Sequence, residues 1–389
     1  MELLVNSECK KSVAVWQPYF RGGGAEAVSL WILQALSQKY NLTLYTLSEV
    51  DFFKLDAMYN TKLAEENIKV IANLPKKLES FGYLLMAASK PFRSAFMYWT
   101  IKRFKQDASQ YDAVFSAFNA IDMGRPGIQY LHWIRVVENN TPNAKPWLKK
   151  LMQWVDFSYE RLEKNYSVAN SSYTADNAKK CYGIESNVVF PPVTTTIDSL
   201  PWPKKKNAFL CSGRIVAAKQ THRVIGILKK VRDRGFDIQL HITGGGAGNG
   251  MYPEKYLKEV KTLVEENLEW IYLHQDLPYQ EYLKILSECR YGIHYKPEPF
   301  GISVAEMLKA GMIPFVRPKG GQMEIVGAEN PEILFDDEAD AVEKISHVLS
   351  EPDLQVRLLS SLEQRKDLFS TETFMKEIQA VVDHHFSTL

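Results

Sequence analysis

The chain has 389 residues, a formal net charge of +1 and a hydrophobic content of 46%. This length predicts two domains of ordinary size, and the near-neutral charge provides no global field that would attract nucleic acid. The four cysteines show neither C-x-x-C spacing nor ligand spacing with the histidines, so the sequence predicts no zinc site and no disulfide framework.

Residues 1–11 carry charges and lack the apolar core of a secretory signal. Nowhere does the chain reach the ~18 consecutive apolar residues of a membrane span. We therefore expect a cytoplasmic protein.

Short β-type runs alternate with helical patterns in the first half of the chain. The predicted elements are a strand at 13–16, a helix at 25–39 and strands at 42–46, 68–71 and 113–117. Such alternation is typical of a parallel sheet in an α/β domain. We assign residues 1–192 to this domain.

A polar, proline-rich stretch over residues 193–206 interrupts the pattern and is interpreted as an interdomain linker. The alternation then resumes, which indicates a second doubly wound domain over residues 207–370. Its predicted strands are 208–211, 238–243, 271–273, 292–295 and 313–316. A final helix, at about 372–385, lies in the segment 371–389.

Two carboxylates, Glu298 and Glu306, flank Gly301 in the segment Glu-Pro-Phe-Gly-Ile-Ser-Val-Ala-Glu. Ser303 and Glu306 have capping-box spacing, which predicts that a helix starts at Ser303. The backbone N–H groups of Gly301, Ile302 and Ser303 then suit a diphosphate at the positive end of this helix, and Glu298 suits sugar hydroxyls. A plainer interpretation stays open, in which Glu306 only completes the capping box and Glu298 is a solvated loop acid.

Two cations, Arg214 and Lys219, share a predicted strand-to-helix loop that includes Gly213. Fixed Arg and Lys donors stabilise the negative charge that develops on a departing nucleoside diphosphate. Neither a strict D-x-D motif nor H-E-x-x-H occurs in the chain, so a metal-bridged diphosphate is not predicted. The alternative is an ordinary exposed basic loop.

These segments together resemble the retaining GT-B glycosyltransferases of glycosyltransferase family 4, or glycosyl transferases group 1. The segment 298–306 resembles the family's E-x7-E motif, and the segment 213–219 resembles its Gly-Arg…Lys loop, with Gln220 where the family more often has Gly or Asn. Further similar segments follow the family's order along the chain: 22–24, 170–193 and 320–326.

The resemblance implies the GT-B fold, with two Rossmann-like doubly wound domains, a cleft between them and a final helix that crosses back to the first domain. It also implies an enzyme that moves a hexose from a nucleoside-diphosphate sugar to an acceptor hydroxyl with retention. No metal or other cofactor is expected, because the nucleotide sugar is itself a substrate.

Individual site residues are carried over from the same resemblance. The residues expected to act in catalysis are His132, Arg214, Lys219 and Glu298. The residues expected to bind the donor are Gly23, Gly24, Gly213, Gly245, Phe300, Gly301, Ile302, Ser303 and Glu306. From the residues alone, a lone histidine beside aromatic neighbours, such as His132, is more often structural. The turn that contains Gly245 fails the G-x-G-x-x-G spacing of a dinucleotide site.

Residues 76–105 bear on the acceptor, because they combine seven Lys or Arg residues with many aromatic side chains and a single Glu79. This composition suits a membrane interface and a lipid-linked acceptor. It is also typical of two amphipathic helices whose aromatic side chains fill the core while the cations snorkel. We therefore expect a saccharide or lipid-linked acceptor and carry peripheral contact with the cytoplasmic membrane surface as a hypothesis.

Two other functional classes share the predicted donor site. A GT-B-fold nucleotide-sugar epimerase would convert the donor without an acceptor, and a noncatalytic relative would only bind it. The joint presence of Arg214, Glu298 and Glu306 argues against the noncatalytic relative. The donor base, the hexose, the acceptor and the oligomeric state are not encoded in any spacing that the sequence shows.

Overall fold

The computed structural model describes residues 10–20, 22–136, 145–194, 197, 199–245 and 254–388. The chain divides into two compact units. Unit 1 comprises Met1–Asn170, Thr174–Pro192 and Thr371–Leu389, and unit 2 comprises Ser171–Tyr173 and Val193–Ser370. Each unit contains one parallel β-sheet with flanking helices.

The strands of unit 1 are β1 (Ser12–Trp16), β2 (Asn41–Thr46), β3 (Lys69–Ala72), β4 (Ala113–Ser116), β5 (Ile128–Leu131), β6 (Tyr166–Ala169) and β7 (Asn187–Val188). All pair in parallel, in the order β3-β2-β1-β4-β5-β6-β7. Helices cover both faces of such a sheet, and for this reason the central strands are nearly continuous apolar runs. The order reverses between β1 and β4, as in a doubly wound fold.

The helices that follow these strands are α1 (Gly24–Ser37), α2 (Phe52–Tyr59), α3 (Glu79–Ala88), α4 (Lys90–Asp107), α5 (Pro146–Trp154), α6 (Tyr159–Glu163) and α7 (Ser172–Tyr182). Helix α1 is apolar over most of its surface, and its leucine and isoleucine side chains pack on β1 and β2 in the core of unit 1.

Unit 2 contains the strands β8 (Lys206–Ser212), β9 (Gln239–Thr243), β10 (Ile271–His274), β11 (Cys289–His294) and β12 (Ile313–Val316), paired in parallel in the order β10-β9-β8-β11-β12. Its helices are α8 (Thr221–Asp233), α9 (Glu254–Glu265), α10 (Tyr279–Glu288), α11 (Ile302–Lys309), α12 (Gln322–Val326), α13 (Glu338–Ser350) and α14 (Pro352–Glu363).

The final helix, α15 (Thr371–Ser387), belongs to unit 1 and packs against α1. Phe374 and Ile378 join the core of this unit, and Lys39 forms an ion pair with Asp383 at 2.6 Å. The stretch 193–206, predicted as a linker, is part of unit 2, where the Val193 N–H donates to the Phe369 carbonyl oxygen at 2.9 Å.

The predicted α/β fold with two doubly wound sheets is confirmed. Every strand predicted from the sequence corresponds to an observed strand with ends shifted by a few residues. The short strands β5, β6 and β7 were not among the predicted strands. The described residues include no helix that is both long enough and apolar enough to cross a membrane.

Candidate functional site

The candidate donor site lies at the carboxyl edge of the unit 2 sheet. The loops after β8, β9 and β11 lie here, where the strand order reverses between β8 and β11. Ligands of open α/β sheets bind at this position, because the connections on either side leave in opposite directions and open a crevice. The structure thus brings together residues that are far apart in the chain.

A partly buried ion pair joins two of these loops. The Lys219 Nζ donates to Glu298 Oε1 at 2.8 Å, and the two side chains are only 21% and 16% exposed. The same oxygen lies 3.5 Å from the Lys296 Nζ and 3.6 Å from His294 Nε2. Burial by itself raises the pKa of Glu298, but His294 and Lys219 outweigh it and lower that pKa to about 2. The interpretation of Glu298 as a solvated loop acid is therefore wrong.

The glycine pair of the 320–326 segment supports the backbone of Glu298. The Gly321 N–H donates to the Glu298 carbonyl oxygen at 2.9 Å. Gly320 has φ +87°, and a Cβ atom there would overlap the Glu298 carbonyl oxygen. A Cβ atom on Gly321 would overlap the carbonyl oxygen of Pro299. Only glycine permits this close approach of two backbones.

The loops after β8 and β9 also touch backbone to backbone. The Gly213 N–H donates to the Thr243 carbonyl oxygen at 3.0 Å, and a Cβ atom on Gly244 would overlap the carbonyl oxygen of Gly213. Beside them is a pocket of about 300 Å³, lined in part by Arg214 and Gly245. The rest of the glycine-rich turn, 246–253, lies outside the described residues.

Helix α11 begins one residue earlier than predicted, at Ile302, with Gly301 at the cap position and φ +109°. The predicted capping box is therefore wrong, because Ser303 lies within the first turn and does not cap it. A glycine at the cap reaches this φ without steric strain. The first-turn N–H groups of Ile302 and Ser303 have no acceptor within the helix, which leaves a positive end toward the site.

Glu306 faces a residue that the sequence did not single out. The Tyr282 hydroxyl donates to Glu306 Oε2 at 2.7 Å and lies 3.3 Å from Ser212 Oγ. Burial and the neighbouring carboxylate raise the pKa of Tyr282 well above its usual value, so this phenol stays a donor. Phe300, expected from the sequence to bind the donor, is 3% exposed and packs its ring against Phe369.

His132 lies in unit 1, directly after β5 at the carboxyl edge of that sheet. Its Nε2–H donates to the Ala117 carbonyl oxygen at 2.8 Å, and its ring centroid is 4.9 Å from that of Tyr130. Burial lowers the pKa of His132 to about 4 even though the Ala117 carbonyl opposes this. The imidazole is therefore neutral at pH 7 and keeps Nδ1 as an acceptor.

The predicted glycine loop of unit 1 precedes α1. The Gly23 N–H donates to the Tyr59 hydroxyl at 2.9 Å, and Gly24 is the first residue of α1. A Cβ atom on Gly23 would meet nothing within 4 Å. Sterics therefore do not require a glycine at position 23.

Sequence reasoning missed three residues that shape the environment of the two carboxylates: Tyr282, His294 and Lys296. His294 and Lys296 precede Glu298 by four and two residues, so the short spacing His-x-Lys-x-Glu could have identified them. Burial lowers the pKa of His294. The neighbouring Glu298 raises that pKa, whereas the charges of Lys219 and Lys296 lower it further. Tyr282 carried no signal, because it approaches Glu306 from a different helix.

Comparison with known proteins gives a family for part of the chain. A family model described as glycosyl transferases group 1 matches residues 193–364, which lie in unit 2. No curated protein sequence matches the chain.

Solved structures share the fold over nearly the whole length. Sucrose-phosphate synthase of Thermosynechococcus elongatus has 14% sequence identity and a TM-score of 0.67, with 98% of this chain and 100% of that chain covered. HepE of Anabaena, in complex with UDP and glucose, has 15% identity and a TM-score of 0.66, with 96% and 100% covered. WaaG, a glycosyltransferase involved in lipopolysaccharide biosynthesis, has 15% identity and a TM-score of 0.65, with 94% and 99% covered.

At these identities the structures establish the fold, which is the GT-B fold of glycosyltransferases. The family match lies in the unit that holds the partly buried pair of Lys219 and Glu298.

Proposed function

We propose that this protein is a retaining glycosyltransferase that moves a hexose from a nucleoside-diphosphate sugar to an acceptor hydroxyl without a metal ion. The observation that carries the proposal is the partly buried pair of Lys219 and Glu298 beside the positive end of α11. A cation beside a hydrogen-bond-accepting carboxylate suits the leaving group and the hydroxyls of a sugar diphosphate, which supports the proposal.

The proposed roles follow from the charges. Arg214 and Lys219 stabilise the diphosphate as the bond between the anomeric carbon and the phosphate oxygen breaks. Lys219 has three N–H donors, so it can keep Glu298 and also donate to a phosphate oxygen. The first-turn N–H groups of Ile302 and Ser303 add donors that need no reorganisation.

Retention follows if the acceptor oxygen attacks the face from which the diphosphate departs. The acceptor hydroxyl then gives its proton to the departing phosphate oxygen while the new glycosidic bond forms. This route needs orientation and charge stabilisation, and no protein carboxylate has to become a covalent nucleophile. Glu298 accepts hydrogen bonds from sugar hydroxyls. The proposed role of His132 is to accept a hydrogen bond from a substrate hydroxyl at Nδ1.

Glu306 is the proposed ribose ligand. Tyr282 holds one of its oxygens at 2.7 Å, which orients the carboxylate. Because HepE was crystallised with UDP and with UDP-glucose, a uridine nucleotide is the first donor to test. For the acceptor we propose a saccharide or lipid-linked saccharide, with the enzyme at the cytoplasmic surface of the membrane.

The test is thermal stabilisation by UDP, GDP and ADP sugars. A donor that binds only the folded protein raises the free energy of unfolding by about 2.7 kcal/mol at a hundredfold excess over its dissociation constant. We expect one nucleotide class to stabilise the protein, and Glu306→Ala to weaken donor binding by about 1.5–3 kcal/mol. The matched control is Glu259→Ala, an exposed acid on α9 of the same unit.

Three outcomes would contradict the proposal. If none of the nucleotide sugars stabilises the protein, the proposed donor site is refuted. Conversion of the donor to an isomer in the absence of any acceptor would instead identify a nucleotide-sugar epimerase. A protein that binds the donor but never turns it over with acceptors would be a noncatalytic relative.

A further inference from the structure

Helix α4 carries apolar side chains on two faces. Tyr98, Ile101 and Phe104 are at most 1% exposed and pack into the core of unit 1. Phe92 and Trp99, on a second face, are 49% and 36% exposed. A helix at the edge of a globular unit needs only one apolar face for its core. The second face of α4 therefore requires another explanation.

Helix α5 completes an apolar groove with this second face. Met152 and Val155 pack with Tyr98 beneath the groove and hold α5 on α4. The groove has a volume of about 490 Å³, and its lining is almost entirely apolar. Its walls are formed by Phe92, Ala95, Phe96, Trp99, Leu151 and Trp154. Trp154 is 43% exposed, so three bulky aromatic rings reach the surface together.

The helices around the groove are strongly basic. Across α3, α4 and α5 the cations are Lys90, Arg93, Lys102, Arg103, Lys149 and Lys150, together with Lys105, which is paired with Asp122, and the acids are Glu79 and Asp107. Both acids already have partners, since Ser48 donates to Glu79 at 3.1 Å and Arg103 to Asp107 at 3.0 Å. Helix α5 has no acid, and its Lys149 and Lys150 are exposed.

Cations and aromatic rings are in direct contact at the rim. The Lys102 Nζ lies 4.5 Å from the centroid of the Trp154 ring. Long basic side chains that lie along an apolar surface place their charge at its edge. On a membrane, such a charge would contact lipid headgroups while the apolar surface contacts acyl chains. Tryptophan favours the same boundary, because its ring is apolar and its N–H is polar.

We propose that the face formed by α4 and α5 docks on an anionic lipid bilayer. Phe92, Trp99 and Trp154 enter the boundary between headgroups and acyl chains, and the surrounding lysines contact lipid phosphates. The proposal deepens the proposed function, because a protein held there would meet a lipid-linked acceptor. Its evidence lies in unit 1 alone and is separate from that of the donor site.

The structure changes the surface expected from residues 76–105. Tyr98 and Phe104 of that segment belong to the core, whereas Leu151 and Trp154 lie outside the segment and complete the groove. The earlier alternative of an ordinary core-filling helix pair thus describes one face of α4 and leaves the other unexplained.

The first experiment is co-sedimentation with vesicles of phosphatidylcholine, with and without phosphatidylglycerol. We expect binding only to the anionic vesicles at low salt, and weaker binding as salt screens the charges. Lys149→Gln/Lys150→Gln should weaken partitioning on the order of thirtyfold, since each lysine near an anionic surface contributes about one kcal/mol. Lys229→Gln/Lys230→Gln, an exposed pair on α8, is the matched control and should bind normally.

The second experiment measures insertion. Vesicles with brominated acyl chains should quench the protein's tryptophan fluorescence, and Trp99→Phe/Trp154→Phe should remove most of this quenching. Trp133→Phe, which changes another exposed tryptophan of unit 1, should leave it unchanged. Phenylalanine keeps the groove apolar, so the variant should still sediment with anionic vesicles.

The docking surface would be overturned by absence of sedimentation at low salt, or by quenching that persists without Trp99 and Trp154. The proposal would also be overturned if Lys149→Gln/Lys150→Gln and the control Lys229→Gln/Lys230→Gln reduced sedimentation equally. Stabilisation by UDP-glucose, measured on the same variants, should match the unaltered protein. If UDP-glucose stabilises neither the unaltered protein nor any variant, the donor proposal fails. The vesicle result still decides whether the docking surface binds membranes.

Discussion

The environment of Glu298 comes partly from its sequence neighbours His294 and Lys296 and partly from residues that are distant in the sequence. Its partner Lys219 lies 79 positions earlier, and the glycines that support its backbone lie more than twenty positions later. The sequence singled out Glu298, Lys219 and the glycine pair separately, by resemblance. That the carboxylate is largely shielded from solvent and has a lowered pKa followed only when the loops were placed together.

Substitution of Gly320 tests whether this backbone support matters. Gly320→Ala introduces a Cβ atom at φ +87° against the Glu298 carbonyl oxygen. Left-handed backbone strain alone is about 1–2 kcal/mol, so we expect a loss of stability on the order of 2 kcal/mol together with weaker donor binding. Urea unfolding and UDP-sugar titration measure the two effects.

The matched control is Gly226→Ala in α8, where a Cβ atom would meet nothing within 4 Å. This change should stabilise the protein by roughly 0.5–1 kcal/mol, because alanine favours the helix over glycine. Unchanged stability and unchanged donor binding in Gly320→Ala would contradict the role assigned to the glycine pair.

At the scale of elements, one buried carboxylate connects several of them in unit 1. Asp122, in the loop between β4 and β5, has a fully buried side chain. It accepts from Lys105 of α4 at 2.8 Å, from Arg161 of α6 at 2.9 Å and from the Ser158 N–H at 2.8 Å. Burial raises the pKa of Asp122, but these donors outweigh it and lower the pKa below its ordinary value.

Asp122→Asn should destabilise the protein by about 3–5 kcal/mol, because it leaves Lys105 and Arg161 near a buried group that no longer balances their charge. Asp156→Asn is the control, since Asp156 also contacts Arg161 but its side chain is 85% exposed. Its effect should be at most about 1 kcal/mol. Urea unfolding of both variants decides the point, and equal effects would refute the role of burial.

Long apolar elements were easier to predict than short ones. β1 and α1 have continuous apolar patterns, and the sequence located both to within a few residues. β7 has only two residues, which is too short for a period to stand out. β5 and β6 have four residues each, as many as the predicted β4, so length alone does not explain why they were missed. The start of α11 was displaced because Gly301 can cap a helix through its backbone, whereas the prediction relied on the side chain of Ser303.

For the whole molecule, several buried histidines predict how stability depends on pH. Burial lowers the pKa of each of the following: His132, His241, His274, His294 and His385. For His132 and His241 the folded-state pKa is about 4, against 6.5 for an ordinary histidine. Between these values the unfolded chain binds more protons than the folded one, so stability must fall as the pH decreases.

We therefore expect the unfolding free energy to decrease as the pH falls from 6.5 toward 4. His241→Gln should make this decrease smaller, whereas His347→Gln, at an exposed position on α13, should leave it unchanged. Urea unfolding at a series of pH values measures the slope. A free energy that stays constant over this range in the unaltered protein would show that the histidines do not titrate as described.

The sequence alone determined the fold class and the positions of most strands, because alternating apolar runs and helical periods are local properties of the chain. By resemblance it also named Glu298, Glu306, Arg214 and Lys219. Only the tertiary structure decided that Lys219 pairs with Glu298, that Tyr282 faces Glu306, and that α5 completes the groove on α4. These contacts join residues far apart in the chain, and no local pattern specifies which loops and helices will meet.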